Sequence, residues 1–142
     1  MDYVKLAEEI ATRAHRGQTD KGGNPYILHP ATVASFVDTP CEKTVAWLHD
    51  VVEDTPTTLT DLTNYGFPQQ IVSAIDAITR RDGEDRQTYL DRVKNNGIAR
   101  TVKIADLKHN SDLSRISQNR PLTANDHARV EKYREEIKFL EE

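Results

Sequence analysis

The sequence predicts a single all-α domain over residues 1–142, a bundle of seven or eight short helices. Three observations predict it. Apolar residues recur at helical spacing nearly throughout, Gly and Pro divide those stretches into short pieces, and no stretch alternates convincingly as a half-buried strand would. A chain of 142 residues can hold one real core, and its 37% apolar and 30% charged residues suit a soluble fold better than a disordered one.

In the first helix Val4, Ala7, Ile10, Ala11 and Ala14 share a stripe, and Gly17 can close it. The stretch "KGGNPYILHP" reads as a loop, with Gly22, Gly23 and Pro25 as breakers. Pro30 then fits the first turn of a helix through about Val37. A third helix is expected from about Glu42 to Glu53, and a short one over Leu59–Tyr65. Pro68 opens another, with Ile71, Ile75 and Ile78 inward. Two more follow over Asp85–Asn95 and Ile98–Ser111. The last begins near Ala124 and aligns Val130, Tyr133, Ile137 and Leu140.

Composition removes several function classes. The net charge is −4, which argues against a general nucleic-acid binder but leaves room for a small phosphorylated ligand held by a metal and local cations. No run approaches the roughly 18 apolar residues of a membrane span. The N-terminus "MDYVKLAEEI" has no basic segment leading into an apolar one, so no signal peptide is read. Cys41 is the only cysteine, a packing residue by expectation, and a reducing cytoplasm is the expected setting. Nothing in the sequence sets an oligomeric state.

The chemistry concentrates in three places. On a helix, "VAWLHDVVEDT" sets Val45, Leu48, Val51 and Val52 on one arc. Beside it lies an acidic arc with an imidazole: His49, Asp50, then Glu53 and Asp54 one turn on. In "ARTVKIADLKHN", Val102, Asp106, His109 and Leu113 form a narrow stripe, so Asp106 falls in the middle of an apolar face. A carboxylate there is costly unless paired, hydrogen-bonded or bound to a metal. A salt bridge to Arg13 or Arg100 is the structural alternative, and Lys103, one turn earlier, could also be an ion-pair partner. The third place is His29 in "PYILHP". His29, His49, Asp50 and Asp106 together suit one Mn²⁺, Fe²⁺, Zn²⁺ or similar divalent ion. Arg80 and Arg81, in "TRRDGED", could meet phosphates. His15 and His109 read as structural or supporting, with His109 an alternative ligand, and His127 as surface.

The order "H…HD…D" resembles the HD phosphohydrolase superfamily. The longer strings "AHRGQTDKGGNPYILHP", "AWLHDVVEDT" and "VKIADLKHN" resemble the hydrolase domain of RelA/SpoT-type alarmone enzymes, most of all the small stand-alone form. The resemblance runs from about Tyr3 to Ile116. It implies an all-α fold and a metal, usually Mn²⁺, held by His29, His49, Asp50 and Asp106. It gives Glu53 and Asp54 to the attacking water. It implies removal of the 3′-pyrophosphate of ppGpp or pppGpp to give GDP or GTP. The alternatives within the superfamily are an adenine alarmone, the 2′-phosphate of NADPH or a nucleoside monophosphate. Residues at Lys21 and Asn110 contact the nucleotide in the family, and with Lys103 and Arg80 they form the candidate substrate-binding set. The synthetase domain of the long enzymes has no room in 142 residues.

Three departures bear on base recognition. Asp20 replaces a guanine-stacking arginine, Leu107 replaces an arginine, and "SDLSRI" follows Asn110 in place of an arginine-threonine run. Selection by phosphate position more than by base is therefore expected. Two non-catalytic readings stand beside this one. A degenerate domain that only binds nucleotide would not need the complete metal set and acidic pair, and a plain helical bundle would leave Asp106 unexplained.

Overall fold

The computed structural model describes residues 1–142. It contains ten helical segments: α1 (Tyr3–Ala14), α2 (Leu28–Ser35), α3 (Pro40–Leu48), α4 (Val51–Asp54), α5 (Leu59–Asn64), α6 (Gln69–Ile78), α7 (Arg86–Lys94), α8 (Gly97–Asn110), α9 (Ser114–Ser117) and α10 (Ala124–Glu141). Two of these are single four-residue turns, α4 and α9, so the longer helices match the expected all-α bundle. The extended pairing is limited to one isolated bridge, Thr19 to Pro25. No helix is long and apolar enough to cross a membrane.

Local chemistry fixes most helix starts. Thr39 with Glu42, Thr58 with Asp61 and Thr123 with Asp126 form reciprocal caps, each satisfying two otherwise orphaned N–H groups. Asp2, Asp85 and Asn96 cap α1, α7 and α8 from their side chains. Gly17 takes φ +83° just after α1, where a side chain would be strained.

The helices close around α8. It packs against α2, α3, α6, α7 and α10, while α1 lies on α3. Val45, Leu48, Val51, Ile75, Val93, Ala99 and Val102 are fully buried between them. An Arg86–Glu136 pair ties α7 to α10, with Nε and Nη2 donating to the two carboxylate oxygens at 2.8 and 2.7 Å. Tyr89 of α7 donates its hydroxyl to the Ile78 carbonyl at 2.7 Å.

The structure corrects two elements of the sequence reading. The helix expected from Glu42 to Glu53 is divided, with His49 and Asp50 in the turn between α3 and α4. His49 Nδ1 lies 2.6 Å from the Ala46 carbonyl, the acceptor that a continuous helix would offer to the Asp50 N–H. Asp50 then sits at φ −107° and ψ −2°, outside regular helix geometry. The Asp54 N–H still reaches the Asp50 carbonyl at 2.9 Å, so the one-turn spacing of the acidic residues survives the break. The second correction is at the end of α8. Leu113, expected on the same helical stripe as Asp106, lies beyond that helix and leads into α9.

Glu136 is 6% exposed, so removing its partner strands a buried charge. Arg86→Met should destabilise the fold by about 3 kcal/mol, read as a lower denaturant midpoint. The double change Arg86→Met with Glu136→Met should recover most of that loss, because no charge is then left unpaired.

Candidate metal centre and active-site cleft

Four side chains from three parts of the chain meet at one point. His29 comes from the first turn of α2, His49 and Asp50 from the α3–α4 turn, and Asp106 from the middle of α8. His29 Nε2 lies 2.7 Å from Asp106 Oδ1 and 3.9 Å from Asp50 Oδ2. His49 Nε2 lies 3.0 Å from Asp50 Oδ2 and 3.2 Å from Asp106 Oδ1. One donor atom from each of the four lies within 4.8 Å of the others, an N/O set that suits one divalent ion. His29, His49 and Asp106 are buried, and the Asp50 side chain is 17% exposed, which leaves one open side.

Supporting bonds aim these atoms. The Ala46 carbonyl can only accept, so His49 carries its proton on Nδ1 and turns Nε2 to the cluster. His29 Nδ1 lies 2.7 Å from His109 Nδ1, with the rings stacked at 5.0 Å. For His29 to present a lone pair at Nε2, its Nδ1 must donate and His109 Nδ1 must accept. Burial, then the Arg115 and His29 charges, push His109 down to about 4, which keeps it neutral for that task. His109 is thus a partner of His29 and not a fifth member of the cluster. Tyr26 donates its hydroxyl to Asp50 Oδ2, and burial followed by the Asp50 charge raises its pKa so that it stays a donor. Its ring packs on His15, whose Nδ1 pairs with Gln18 at 2.9 Å.

The partner of Asp106 is Lys103, not Arg13 or Arg100. Lys103 Nζ lies 2.9 Å from Asp106 Oδ2, and Asn110 Nδ2 donates to Oδ1 at 3.2 Å. Burial pushes the Asp106 carboxyl up, but Lys103 and the two imidazoles outweigh it and hold it well below the usual range. Burial would likewise lower His49, but the Asp50 and Asp106 carboxylates keep it well above its ordinary value.

Glu53 and Asp54 stand at the open rim. Glu53 Oε1 accepts from the Arg80 backbone N–H at 2.9 Å, which leaves Oε2 free. Carboxylate oxygens of Asp50, Glu53 and Asp54 lie within 4.8 Å of one another. Partial burial, then the Asp50 and Glu53 charges, raise Asp54 to about 6.

A cavity of about 290 Å³ adjoins the cluster at Tyr26, His29 and Asn110. The glycine loop, α9 and α10 complete it, through Lys21, Leu113, Arg115 and Tyr133 among others. Of the candidate substrate residues, Lys21 and Asn110 line this cavity. Arg80 is exposed beside Glu53 in a separate depression, and Lys103 is turned inward onto Asp106. Tyr133 is half-buried, serving both the core and the cavity wall. Asp20 is engaged by the protein itself, accepting from the Gly22 and Asn24 N–H groups at 2.9 Å each and pairing with Arg115 at 3.2 Å. Gly22 is required here, since a Cβ would lie 2.5 Å from the Arg115 carbonyl. Tyr26, Arg115 and Arg129 were not singled out from sequence. Their partners are distant in the chain or on another helix, and no local spacing marks them.

The Asp50 and Asp106 carboxylates favour a second proton on His49 against its burial, and a cation at Nε2 would compete with that proton. The raised pKa of His49 therefore makes metal binding weaken as pH falls. Calorimetric titration with Mn²⁺ in buffers of different ionisation enthalpy should show proton release at neutral pH. An uptake of protons would contradict this arrangement.

No family model matches the chain. A GTP pyrophosphokinase of Streptomyces coelicolor is 33% identical over 120 residues, 75% of this chain and 14% of that protein. A guanosine-3′,5′-bis(diphosphate) 3′-pyrophosphohydrolase of Borreliella burgdorferi is 33% identical over 130 residues, 80% of this chain and 19% of that protein. The bifunctional (p)ppGpp synthase/hydrolase SpoT of Escherichia coli is 34% identical over 86 residues, 56% of this chain and 12% of its own length. The chain thus spans less than a fifth of the curated relatives it matches. A solved structure described as a metazoan orthologue of SpoT that hydrolyses ppGpp superposes with a TM-score of 0.77, at 20% identity, covering 99% of this chain and 85% of that one. In sequence over most of its length and in fold over nearly all of it, the chain therefore resembles the hydrolase domain of the RelA/SpoT-type proteins, within the HD superfamily.

Proposed function

We propose that this chain is a metal-dependent phosphohydrolase that removes the 3′-pyrophosphate of ppGpp or pppGpp, giving GDP or GTP and pyrophosphate. The observation that carries the reading is the junction of the four-residue donor cluster, through His29, with a cavity of about 290 Å³, with the Glu53 and Asp54 carboxylates grouped around Asp50 on the cluster's other side. The relatives that act on (p)ppGpp support it. The reading places the protein in the cytoplasm, consistent with its lone thiol.

His29, His49, Asp50 and Asp106 would hold the ion, taken here as Mn²⁺. When bound, such an ion supplies Lewis-acid polarisation of a phosphoryl oxygen and acidifies water. The chain's own residues do the rest. Glu53, with Oε1 fixed by the Arg80 N–H, offers Oε2 to take the proton of the attacking water. Asp54 shares the rim and helps orient that water. Lys103 and Asn110 hold both oxygens of Asp106 in place. Asn110 lines the pocket for the nucleoside, Lys21 lines the same cavity at the glycine loop, and Arg80 stands at the rim beside Glu53.

The direct test incubates the metal-analysed protein with ppGpp, pppGpp, pppApp and NADPH and identifies the products. Release of pyrophosphate from ppGpp is expected. Its absence, with phosphate released from NADPH instead, would move the protein to the alternative substrate class. Glu53→Gln should lower kcat by about 10²–10⁴-fold while metal content stays normal. Asp106→Ala should lose the metal as well, so elemental analysis of the two variants separates the roles.

Base selectivity should be shallow. Asp20 is occupied by Gly22, Asn24 and Arg115 and gives a base no cation–π partner. A missing stack of about 1.4 kcal/mol is a tenfold effect. The kcat/KM values for ppGpp and ppApp should therefore lie within about tenfold of each other. A preference for guanine above about a hundredfold in steady-state kinetics would assign base reading to other cavity residues.

A further inference from the structure

The cavity has a second charged wall, formed by α10 and the glycine loop. Lys21 and Arg129 both line it. Arg129 Nη2 donates to Asp126 Oδ1 at 2.5 Å, and its Nε and Nη1 make no bond within the protein. Lys21 Nζ makes none either. Asp126 is 1% exposed, and its carboxylate is fully engaged. It accepts from Arg120 at 2.9 and 3.1 Å, from the Thr123 N–H at 2.8 Å and from the Thr123 hydroxyl at 3.1 Å, besides Arg129. One carboxylate therefore balances one of two arginines, and Lys21 adds a further cation with no counter-ion of its own. Partial burial lowers the Lys21 pKa, with the Arg129 charge the next cause. Like charges gathered on one cavity wall repel until an anion joins them.

We propose that Arg129 and Lys21 form a second anion subsite, which takes the phosphate arm of the substrate remote from the metal cluster. Under the proposed function that arm is the 5′-di- or triphosphate, while the 3′-pyrophosphate lies at the His29 and Asp106 end. This assignment of the two arms rests on that function; the anion subsite itself rests on the residues. The site is preorganised. The cap between Thr123 and Asp126 fixes the carboxylate, the carboxylate fixes one edge of the Arg129 guanidinium, and the free edge keeps two N–H directions for phosphate oxygens. The contact of Gly22 with the Arg115 carbonyl seats the loop that carries Lys21.

The test measures binding of GDP and of guanosine to the Mn²⁺-loaded protein by calorimetry, at low and moderate salt. GDP should bind about tenfold or more tightly than guanosine, because hydrogen bonds to charged groups carry at least that factor. The advantage should shrink as salt rises. Arg129→Gln and Lys21→Gln should each cut the GDP advantage and leave guanosine binding unchanged, and Arg129→Lys should retain part of it. In turnover, Arg129→Gln should raise KM for ppGpp about tenfold with kcat nearly kept. Should Arg129→Gln lose its fold through Asp126, Lys21→Gln decides alone, because Lys21 has no internal bond to lose. Equal affinities for GDP and guanosine in the native protein, or a GDP advantage intact in the variants, would overturn the subsite. Failure of the proposed function is read separately, as no pyrophosphate released from ppGpp, and leaves the GDP–guanosine comparison standing.

Discussion

The buried carboxylate of Asp106 is the constraint on which the rest of the site depends. It is 3% exposed in the middle of the helix that contacts most of the bundle. Burying a lone charge there would cost several kcal/mol. The chain meets that cost from three directions. Lys103 takes one oxygen and Asn110 and the two imidazoles share the other; Lys103 and Asn110 come from α8 itself, but the imidazoles must be delivered by α2 and by the turn after α3. Correct packing of α2 and α3 against α8 and assembly of the donor cluster are therefore one event. A shift in either helix would take an imidazole from Asp106 and leave it only Lys103 and Asn110 of its own helix.

The division between α3 and α4 has the same origin. A continuous helix would point His49 and Asp50 in directions about 100° apart. The turn lets His49 Nε2 and Asp50 Oδ2 come within 3.0 Å, and the Ala46 carbonyl fixes the ring that makes this possible. The restarted helix then carries Glu53 and Asp54 out to the rim. Ligand-type atoms are thereby drawn inward, while the Glu53 and Asp54 carboxylates, to which the proposed function gives the attacking water, stay exposed. Asp54, even at the rim, is raised to about 6 by partial burial and by its neighbours' charges, which shows how dense the negative charge is on this side.

Sequence made the inward half of this arrangement legible, and contact chemistry decided the outward half. Asp106 was visible because helical periodicity placed a carboxylate among Val102 and other apolar positions, and burial bears that out. Gly17, Pro30 and Pro68 marked helix boundaries that the structure keeps to within a turn. The break at His49 was hidden because it depends on a side chain competing for one backbone carbonyl, and residue spacing does not record that. The partner of Asp106 was open among several cations, since reach and rotamer choose between Lys103, Arg13 and Arg100. Asp20 was read only as the replacement of a guanine-stacking arginine, and its engagement by Arg115, ninety-five positions later, could not be seen in the sequence. Arg129 was invisible for the same reason: its meaning comes from lining, with Lys21, a cavity that only the folded chain encloses.

Charge balance across the cleft orders the events of binding. The Asp50 and Asp106 carboxylates face the Lys103 ammonium and His49, where burial opposes a charge that the two carboxylates favour. With His49 charged, the four charges cancel, so the inner cluster attracts no phosphate, and the rim carboxylates repel it. Replacing the His49 proton by a divalent cation leaves the inner cluster with one net positive charge. Under the proposed function, only then would the rim's negative charge become tolerable to a pyrophosphate group arriving beside it. The α10 wall needs no such activation, because Lys21 and Arg129 are cationic throughout. The two ends of the cavity thus differ in when they can attract an anion. Under the proposed function the α10 end would hold a phosphorylated ligand at any stage, while the His29 and Asp106 end would accept one only with the cation in place. A polyanionic substrate with phosphates on both arms satisfies both ends at once, whereas a product that has lost one arm keeps only the α10 contact.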